Sequence, residues 1–353
     1  MKIPCIFFTI LGSLFHEPAI AQSIEQLQRI DGPAAEIKDE YDYRLNFAEW
    51  INDSEIVTFT RDFQLSRIDI ATKKKAWSRS WKNEICDFCV SQSGMIGLVS
   101  NGDRTGPSVI LVDATDGSTA LSKTSDELAK LSGLPFFIPS RITIHPVNGQ
   151  VLVSNFSTHF WDNAYIFDPK LNSVEKRLGI DSTPKKIAFT RNGERLTILA
   201  DTDVLNVRSV EQNADVFFAG KRISEPRKGI SFTIDAPVYS NAIHDGRDLI
   251  VYSRDNSWGT GSIYIHRLST KKTIEFDGLN GHIVMDVDFA NERIAVSGTS
   301  KDIVIFDFSG NRIAKAKNPT GERYFQLRYS PNGGKLMVCN DEDHVWIFAI
   351  TEQ

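Results

Sequence analysis

The chain has 353 residues, with 40 basic and 45 acidic side chains and a formal net charge of −5. A slight acidic excess, with Lys and Arg scattered along the chain, argues against binding of nucleic acid through a basic surface. Three short basic clusters are better explained as solvated turns or strand edges, namely Lys73–Lys75, Lys185–Lys186 and Lys271–Lys272.

Residues 1–21 have the features of a secretory signal peptide. Lys2 gives a positive start, Ile3–Phe15 an apolar core, and Ala19-Ile20-Ala21 a cleavage site of small residues. The core is too short to span a bilayer as a helix, and no lipid-attachment cysteine follows it. A buried N-terminal strand is the alternative. We therefore expect a periplasmic or secreted mature protein, residues 22–353, with no membrane anchor.

The rest of the chain repeats one pattern of turns and short β-rich runs seven times. The residues that close the best-aligned run are, in order, Ile70, Asp113, Asp168, Arg208, Arg267, Asp307 and Ala349. Four of the six intervals between them are about 40 to 45 residues, the period of a four-stranded propeller blade. The acidic members recur with the repeat, so we interpret them as turn formers and not as catalytic residues.

A second apolar run in each repeat follows a tight-turn signal. Asn148-Gly149, Asn192-Gly193 and Asn332-Gly333 are examples, and such pairs tolerate the positive φ of two-residue hairpins. The runs are short and continuous, which is typical of strands buried on both faces. The prediction is an all-β chain, a seven-bladed β-propeller of four-stranded antiparallel blades in one domain.

The last repeat lacks room for an outermost strand, because only three residues follow Ile350. The segment Ser23–Tyr43 is available to supply that strand. Pairing of this segment with the last strand would close the ring and remove exposed strand edges.

Two segments give the chain a resemblance to the WD-repeat family. Phe189–Leu196 and Tyr329–Leu336 resemble the first hairpin of WD repeats, and Gly281-His282 precedes a β-rich run as the family's Gly-His pair does. None of the seven best-aligned runs closes on the Trp-Asp dipeptide that is typical of the family. The resemblance covers residues 40–353 and implies a WD-like propeller.

The Cys and His residues are the candidates for redox, metal-binding or catalytic roles. Cys86-Asp87-Phe88-Cys89 has the spacing of a redox pair or a metal half-site, but Val90 stands where covalent haem attachment requires His. If Ile85–Val90 is a strand, positions i and i+3 face opposite sides. We therefore expect Cys86, Cys89 and Cys339 to be buried free thiols.

His145 and His244 end predicted inner strands and are the best-placed residues for a site gathered around a channel. Isolated polar residues at strand ends are the alternative interpretation. No nucleophile elbow, phosphate-binding loop or dinucleotide fingerprint occurs in a supporting context. The sequence thus predicts no catalytic residue, no metal and no cofactor.

Interruptions of the repeat point to a binding face. Insertions at Ser122–Pro139, between the second and third repeats, and at Gly220–Tyr239, between the fourth and fifth, are expected on the same face as the longest internal loops. The partner-binding candidates that these segments collect are Arg104, Phe136, Phe137, His159, Phe160, Trp161 and Trp258. Exposed aromatics with Arg are common interface anchors. Alternatively, the insertions fold down and bury these rings.

The predicted function is that of a binding or scaffold protein with a protein partner. An extracytoplasmic propeller enzyme, lactonase-like or similar to quinoprotein dehydrogenases, is the alternative. His and carboxylate groups converging on the channel mouth would favour the enzyme, and an aromatic-rich apolar patch would favour the binding protein. A ligand in the channel is not identified by the sequence.

Overall fold

The structure is a computed structural model. It describes residues 22–31, 47–60, 63–102, 106–156, 163–179, 184–190, 193–200, 204–209, 217–218, 221–222, 230–235, 242–244, 248–256, 260–280, 284–298, 302–317, 324–340 and 344–352.

The strands are numbered in chain order from β1, which spans Gln22–Asp31. Sheet I contains β2 (Phe47–Asn52), β3 (Glu55–Phe59), β4 (Gln64–Asp69) and β5 (Lys75–Ser80). Sheet II contains β6 (Ile85–Val90), β7 (Met95–Ser100), β8 (Ser108–Asp113) and β9 (Thr119–Thr124). Helix α1 (Ser125–Ser132) follows. Sheet III contains β10 (Pro139–Ile144), β11 (Val151–Asn155), β12 (Asn163–Phe167) and β13 (Val174–Gly179).

Sheet IV begins with β14 (Pro184–Phe189), β15 (Arg195–Ala200) and β16 (Val204–Ser209). A short hairpin of β17 (Phe217–Phe218) and β18 (Lys221–Arg222) precedes its fourth strand, β19 (Ile230–Asp235). Sheet V contains β20 (Ala242–His244), β21 (Leu249–Asn256), β22 (Thr260–Arg267) and β23 (Lys272–Asn280). Sheet VI contains β24 (Val284–Asp288), β25 (Arg293–Ser297), β26 (Ile303–Asp307) and β27 (Arg312–Ala316). Sheet VII contains β28 (Tyr324–Tyr329), β29 (Lys335–Asn340), β30 (His344–Glu352) and β1.

Within the described residues, the strands form seven four-stranded antiparallel sheets and the one short hairpin. The prediction of an all-β chain built from four-stranded antiparallel sheets is confirmed. Sheet VII takes its fourth strand from the N-terminal segment: β1 pairs with β30 from Gln22 opposite Glu352 to Asp31 opposite His344, with one register shift between Gln26 and Gln28.

Consecutive sheets pack against each other through apolar side chains. One cluster joins sheets I and II, a second joins II and III, and a third joins III and IV. Further clusters join V to VI and VI to VII. Sheet VII also packs against sheet I, where Met337, Cys339 and Ile347 meet Trp50 and Ile56. The short apolar second strands form much of this core, as their lack of alternation predicted.

Each sheet has two distinct ends. The hairpin end carries the connections between strands one and two and between strands three and four. The loop end carries the connection between strands two and three and the exit from strand four. At the hairpin end of sheet III, for example, His145 begins the turn between β10 and β11, and Pro139 and Asn155 lie at the loop end.

Side chains at the hairpin ends reach the next sheet. Trp77 of sheet I lies on Gly117 of sheet II and donates its indole N–H to the Ala114 carbonyl at 2.9 Å. Arg293 of sheet VI donates to the Gly333 carbonyl of sheet VII at 2.8 Å. It also forms a 2.5 Å ion pair with Asp288, in which both side chains are about 5% exposed or less.

The repeated acidic residues form turns, as predicted. Asp113 accepts from the Thr115 amide at 2.7 Å, and Asp307 accepts from the amides of Ser309 and Asn311. Asp168 accepts from three amides of its own turn. A carboxylate that accepts several local amides stabilises a turn and is already engaged.

The second predicted insertion lies at the other end of its sheet. Because β19 pairs with β16 as the fourth strand of sheet IV, the additional residues 210–229 fall between strands three and four. They therefore leave from the hairpin end, and not between sheets IV and V as the repeat interval suggested. The first insertion does lie between sheets II and III, at the loop end, and contains α1.

Candidate functional site

The structure separates two neighbouring residues of the predicted binding face. The Phe136 side chain is 48% exposed, whereas Phe137 is 1% exposed. The Phe137 ring packs 5.3 Å from the Tyr165 ring and 6.3 Å from the Phe167 ring, between centroids. Phe137 is therefore a core residue, and its assignment to a binding surface is corrected. Arg104, His159, Phe160, Trp161 and Trp258 lie outside the described residues.

Helix α1 fixes the first insertion to the core. Thr124 and Glu127 form a reciprocal capping box at its N-terminus, and Gly133 ends the helix in the left-handed region at φ 68°. Leu128 and Ala129 are buried in the cluster between sheets II and III. The segment that leads from α1 to β10 therefore starts from a fixed position at the loop end.

An exposed apolar group follows at the loop end of sheet III. It consists of Phe136, Ile138 and Phe156, of which the last two are each 39% exposed. The Phe156 amide donates to the Ile138 carbonyl at 2.7 Å, and the Ile138 amide donates to Asn155 Oδ1 at 2.7 Å. These bonds hold the two strand ends together, so we call the three side chains the apolar patch.

A second feature was not predicted: six of the seven first strands carry a charged side chain deep in the protein. These residues, which we call the first-strand cluster, are Glu49, Asp87, Arg141, Lys186, Asp286 and Arg328. Each is partly exposed by surface area. Interior charges that keep some exposure are expected to face a solvated space between strands, because complete burial of unpaired charges is costly.

Strand register divides the cluster into two levels. Asp87, Arg141 and Lys186 each follow a register shift at the start of their strand, and Gln326 occupies the same position in sheet VII. This upper level lies nearer the loop end. A shift of this kind redirects the side chain of the bulged strand. Two residues further along, the lower level contains Glu49, Asp286 and Arg328.

The polar side chains of the first strands also connect neighbouring sheets. Asp87 Oδ2 accepts from the Ile142 amide of sheet III at 2.6 Å, and Asp286 Oδ2 accepts from the Tyr329 amide of sheet VII at 2.7 Å. Between sheets VII and I, the Gln326 amide donates to the Ala48 carbonyl at 2.6 Å.

Charges at the lower level are closely paired. Arg328 Nε lies 3.0 Å from Glu49 Oε2, with the side chains 23% and 27% exposed. Burial opposes the Arg328 cation, but the carboxylates of Glu49 and Asp286 outweigh it and raise the pKa of Arg328. Burial also raises the pKa of Asp286, although Arg328 and the Tyr329 amide act against it.

Charges at the upper level are less well compensated. Burial raises the pKa of Asp87 to about 6, against the opposing effects of Arg141, the Ile142 amide and Lys186. Burial and then repulsion by Arg328 lower the pKa of Lys186 to about 8, despite attraction by Asp286, Glu49 and Asp87. Burial thus disfavours the charged forms of both Asp87 and Lys186.

The cysteines are free thiols, but only Cys339 is buried as predicted; Cys86 and Cys89 are half-buried. The strand argument for the last two also fails. Cys86 and Cys89 pack against the same cluster between sheets II and III. The register shift between Ile85 and Asp87 places the additional residue Cys86 on the side of Cys89, so the rule that i and i+3 face opposite sides was wrong here. Burial raises the pKa of Cys86 to about 11 and that of Cys339 to about 12, which keeps both thiols protonated.

His145 serves its own hairpin and the next one. Its Nδ1 accepts from the amides of Val147 and Asn148 at 3.2 and 3.3 Å, and its ring lies against Gly193 of sheet IV. Burial lowers the pKa of His145, while a hydrogen bond with the backbone of Gly193 acts in the opposite direction. The His244 side chain is outside the described part. Across the described residues, no three His, Cys, Asp or Glu side chains are grouped to hold a metal ion.

The sequence does contain a signal for the first-strand cluster. In six repeats, at least one charged residue interrupts the apolar run before the hairpin. Glu49 before Trp50 and Lys186 before Ile187 are examples. Lys186 lies on β14 and is half-buried, so the interpretation of Lys185–Lys186 as a solvated turn or strand edge is wrong for this residue. Alignment of the first strands places the six charges in two columns that are two residues apart.

Comparison with known proteins adds no relative. No family model matches the chain, and no curated protein matches it. The resemblance to WD repeats therefore rests on the quoted residues. Among the helices of the described part, none is long and apolar enough to cross a membrane.

Proposed function

We propose that this chain is an extracytoplasmic, WD-like β-propeller of seven blades whose activity is to bind a protein partner at the loop end. The apolar patch is the strongest support for binding. Four of the six large apolar side chains that are exposed among the described residues, Phe63, Phe136, Ile138 and Phe156, belong to the loop ends of sheets I and III. Exposed apolar groups of this kind mark interaction sites more often than isolated ones do.

The packing order of the sheets supports the ring. Apolar clusters join I to II, II to III, III to IV, V to VI, VI to VII and VII to I. In this proposal β1 completes the seventh blade and closes the ring. Deletion of residues 22–31 would expose the edge of β30, and we expect a loss of several kcal/mol of stability. An unchanged melting temperature would refute the closure.

The described residues of β1 are compatible with export. Gln22–Asp31 all follow the proposed cleavage site, so removal of residues 1–21 would leave these residues available for pairing. Mass spectrometry of the protein from its native host should find an N-terminus at Gln22. An intact Met1 in folded protein would contradict the proposed localisation.

Site-specific photo-crosslinking tests the binding face. A crosslinking residue at position 136 should capture a partner, whereas one at position 147 should not. Val147 is the matched control, because it is 76% exposed and lies at the hairpin end of the same sheet. Capture of the same proteins at both positions would indicate a nonspecific apolar contact.

The captured partner then permits an affinity measurement. Phe136→Ser should weaken binding of the purified partner by about 1–2 kcal/mol or more if this ring fills a pocket, and Val147→Ser should leave the affinity unchanged. Equal affinities of the two variants would exclude the apolar patch as the docking site.

A further inference from the structure

We propose that the binding face at the loop end extends from the apolar patch across sheet II to Phe63 of sheet I, and that its occupant is a folded protein with an apolar pocket for the Phe63 ring. This second anchor rests on the proposed function, because the same partner contacts both places. The backbone conformation of Phe63, its fixed position and the small area of the apolar patch support the extension.

Phe63 has a backbone conformation that aromatic residues rarely adopt. Its φ is 60°, in the left-handed region where a Cβ lies too close to the following carbonyl oxygen. The other described non-glycine residues with positive φ, Lys73, Leu171, Lys271 and Glu292, all lie in turns at hairpin ends. Phe63 lies at the loop end, in the connection between β3 and β4. Glycine or asparagine would fit there at less cost, so this strain indicates a role for the ring.

Hydrogen bonds on both sides fix the Phe63 backbone. Its amide donates to the Thr60 carbonyl at 2.9 Å, and its carbonyl accepts from the Trp81 amide at 2.8 Å. The ring packs on buried Phe59, with 6.4 Å between the ring centroids, and 36% of the residue remains exposed. Phe63 therefore presents a ring whose position is set before a partner binds. A preorganised aromatic side chain loses little conformational entropy on docking.

The apolar patch alone is too small for a stable protein interface. Phe136, Ile138 and Phe156 are each 39–48% exposed, so together they offer on the order of 200–300 Å² of apolar surface. A standard interface buries about 800 Å² on each partner. A docked protein must therefore contact more of the loop end, and among the described residues Phe63 is the next large apolar side chain exposed there.

The order of the sheets indicates the class of partner. Apolar clusters join sheet I to II and sheet II to III, so sheet II lies between Phe63 and the apolar patch. A partner that contacts both anchors must span the loop end of sheet II. Since both anchors have fixed positions, they favour a folded protein whose pockets also have fixed positions. A flexible segment would lose conformational entropy at each contact.

Photo-crosslinking at position 63 tests the extent of the face. A photoreactive phenylalanine derivative there should capture the same protein as one at position 136, whereas one at position 73 should not. Lys73 is the matched control, because it is exposed, belongs to sheet I and has a φ of 59°, but lies at the hairpin end. Capture at position 136 without capture at position 63 would overturn the extension alone. No capture at either position would contradict the proposed function as well.

Paired substitutions separate the contribution of the ring from that of the backbone. Phe63→Gly and Phe63→Ala both remove the ring, so each should weaken the affinity for the captured partner about tenfold or more. Because glycine adopts positive φ without strain, the equilibrium constant for unfolding should be about fivefold smaller for Phe63→Gly than for Phe63→Ala. At a negative φ, alanine would give the more stable variant.

Lys73→Gly and Lys73→Ala are the controls for this pair. They should show the same order of stability, because the φ of Lys73 is nearly equal, and should leave the affinity for the partner unchanged. Unchanged affinity of both Phe63 variants would show that the ring serves only the fold. Equal stability of the two Phe63 variants would exclude the strain, and a crosslinked dimer of the chain itself would assign the face to self-association. Each of these three results would overturn the proposal.

Discussion

The hairpin ends and the loop ends of the sheets use their side chains differently. At the hairpin ends, Arg293, His145 and Trp77 each cover a glycine or carbonyl of the next sheet. At the loop end of sheet III, Phe136, Ile138 and Phe156 remain exposed. The contrast shows that side chains at the hairpin ends contact the next sheet, whereas these three side chains at the loop end stay exposed, as the proposed binding face requires. The following predictions test that division.

The largest effect is expected at the hairpin end of sheet VI. Arg293→Ala leaves the Asp288 carboxylate buried without its partner and removes the bond to Gly333, so we expect a loss of about 3–5 kcal/mol in chemical denaturation. Arg267→Ala is the control, because its ion pair with Asp248 is half exposed and should contribute less than about 1 kcal/mol. Similar losses for both variants would contradict a special role for the buried pair.

Gly193 tests the contact between sheets III and IV. Its φ is +77°, and a Cβ there would overlap the His145 ring. Gly193→Ala should therefore combine left-handed strain with displacement of His145, a cost of about 3 kcal/mol in total. Gly94→Ala has the same strain at φ +80° with nothing within 4 Å, and should cost only about 1–2 kcal/mol. Thermal unfolding of the two variants measures the difference.

Asp87 makes stability depend on pH. In the folded protein the pKa of Asp87 is about 6, above its ordinary value of 3.8. The stability that Asp87 contributes is therefore fully present below pH 4 and is lost as the pH rises through 6. Asp87→Asn keeps an acceptor for the Ile142 amide and does not ionise. Relative to the wild type, this variant should gain about 2 kcal/mol between pH 4 and pH 7. A constant difference between the two unfolding curves over that range would show that Asp87 does not titrate as described.

The smallest effect on stability is expected at the apolar patch. Phe136→Ala should change the free energy of unfolding by less than about 0.5 kcal/mol, because the ring is half exposed. Phe137→Ala, one residue further, removes a buried ring and should cost about 3–5 kcal/mol. If Phe136→Ala proved as destabilising as Phe137→Ala, the loop end would be part of the core.

Sequence reasoning identified the strands best where a short apolar run follows a glycine turn. β11 and β29 follow Asn148-Gly149 and Asn332-Gly333 as predicted. It misplaced the second insertion because the interval between third strands does not show on which side of the fourth strand the additional residues lie. Only the pairing of β19 with β16 decides this.

The candidate site was predicted less well, because it depends on contacts between repeats. No feature of the local sequence distinguishes exposed Phe136 from buried Phe137. The difference comes from the packing of Phe137 against the rings of Tyr165 and Phe167. Cys86 and Cys89 lie on the same side of β6 because of a register shift, which the spacing of the residues in the sequence does not reveal. By contrast, α1 could have been found from Thr124 and Glu127, whose spacing matches a capping box.

Sheet VII also has consequences for how the chain folds. β1 and β30 are separated by almost the whole sequence, so among the described strand pairs theirs spans the longest sequence separation and requires closure of the longest loop. During synthesis, β1 is made before the other described strands and cannot pair with β30 until almost the whole chain has followed. We expect this pairing to be a late step, and a chain interrupted before β30 to accumulate with an unpaired strand that is prone to association.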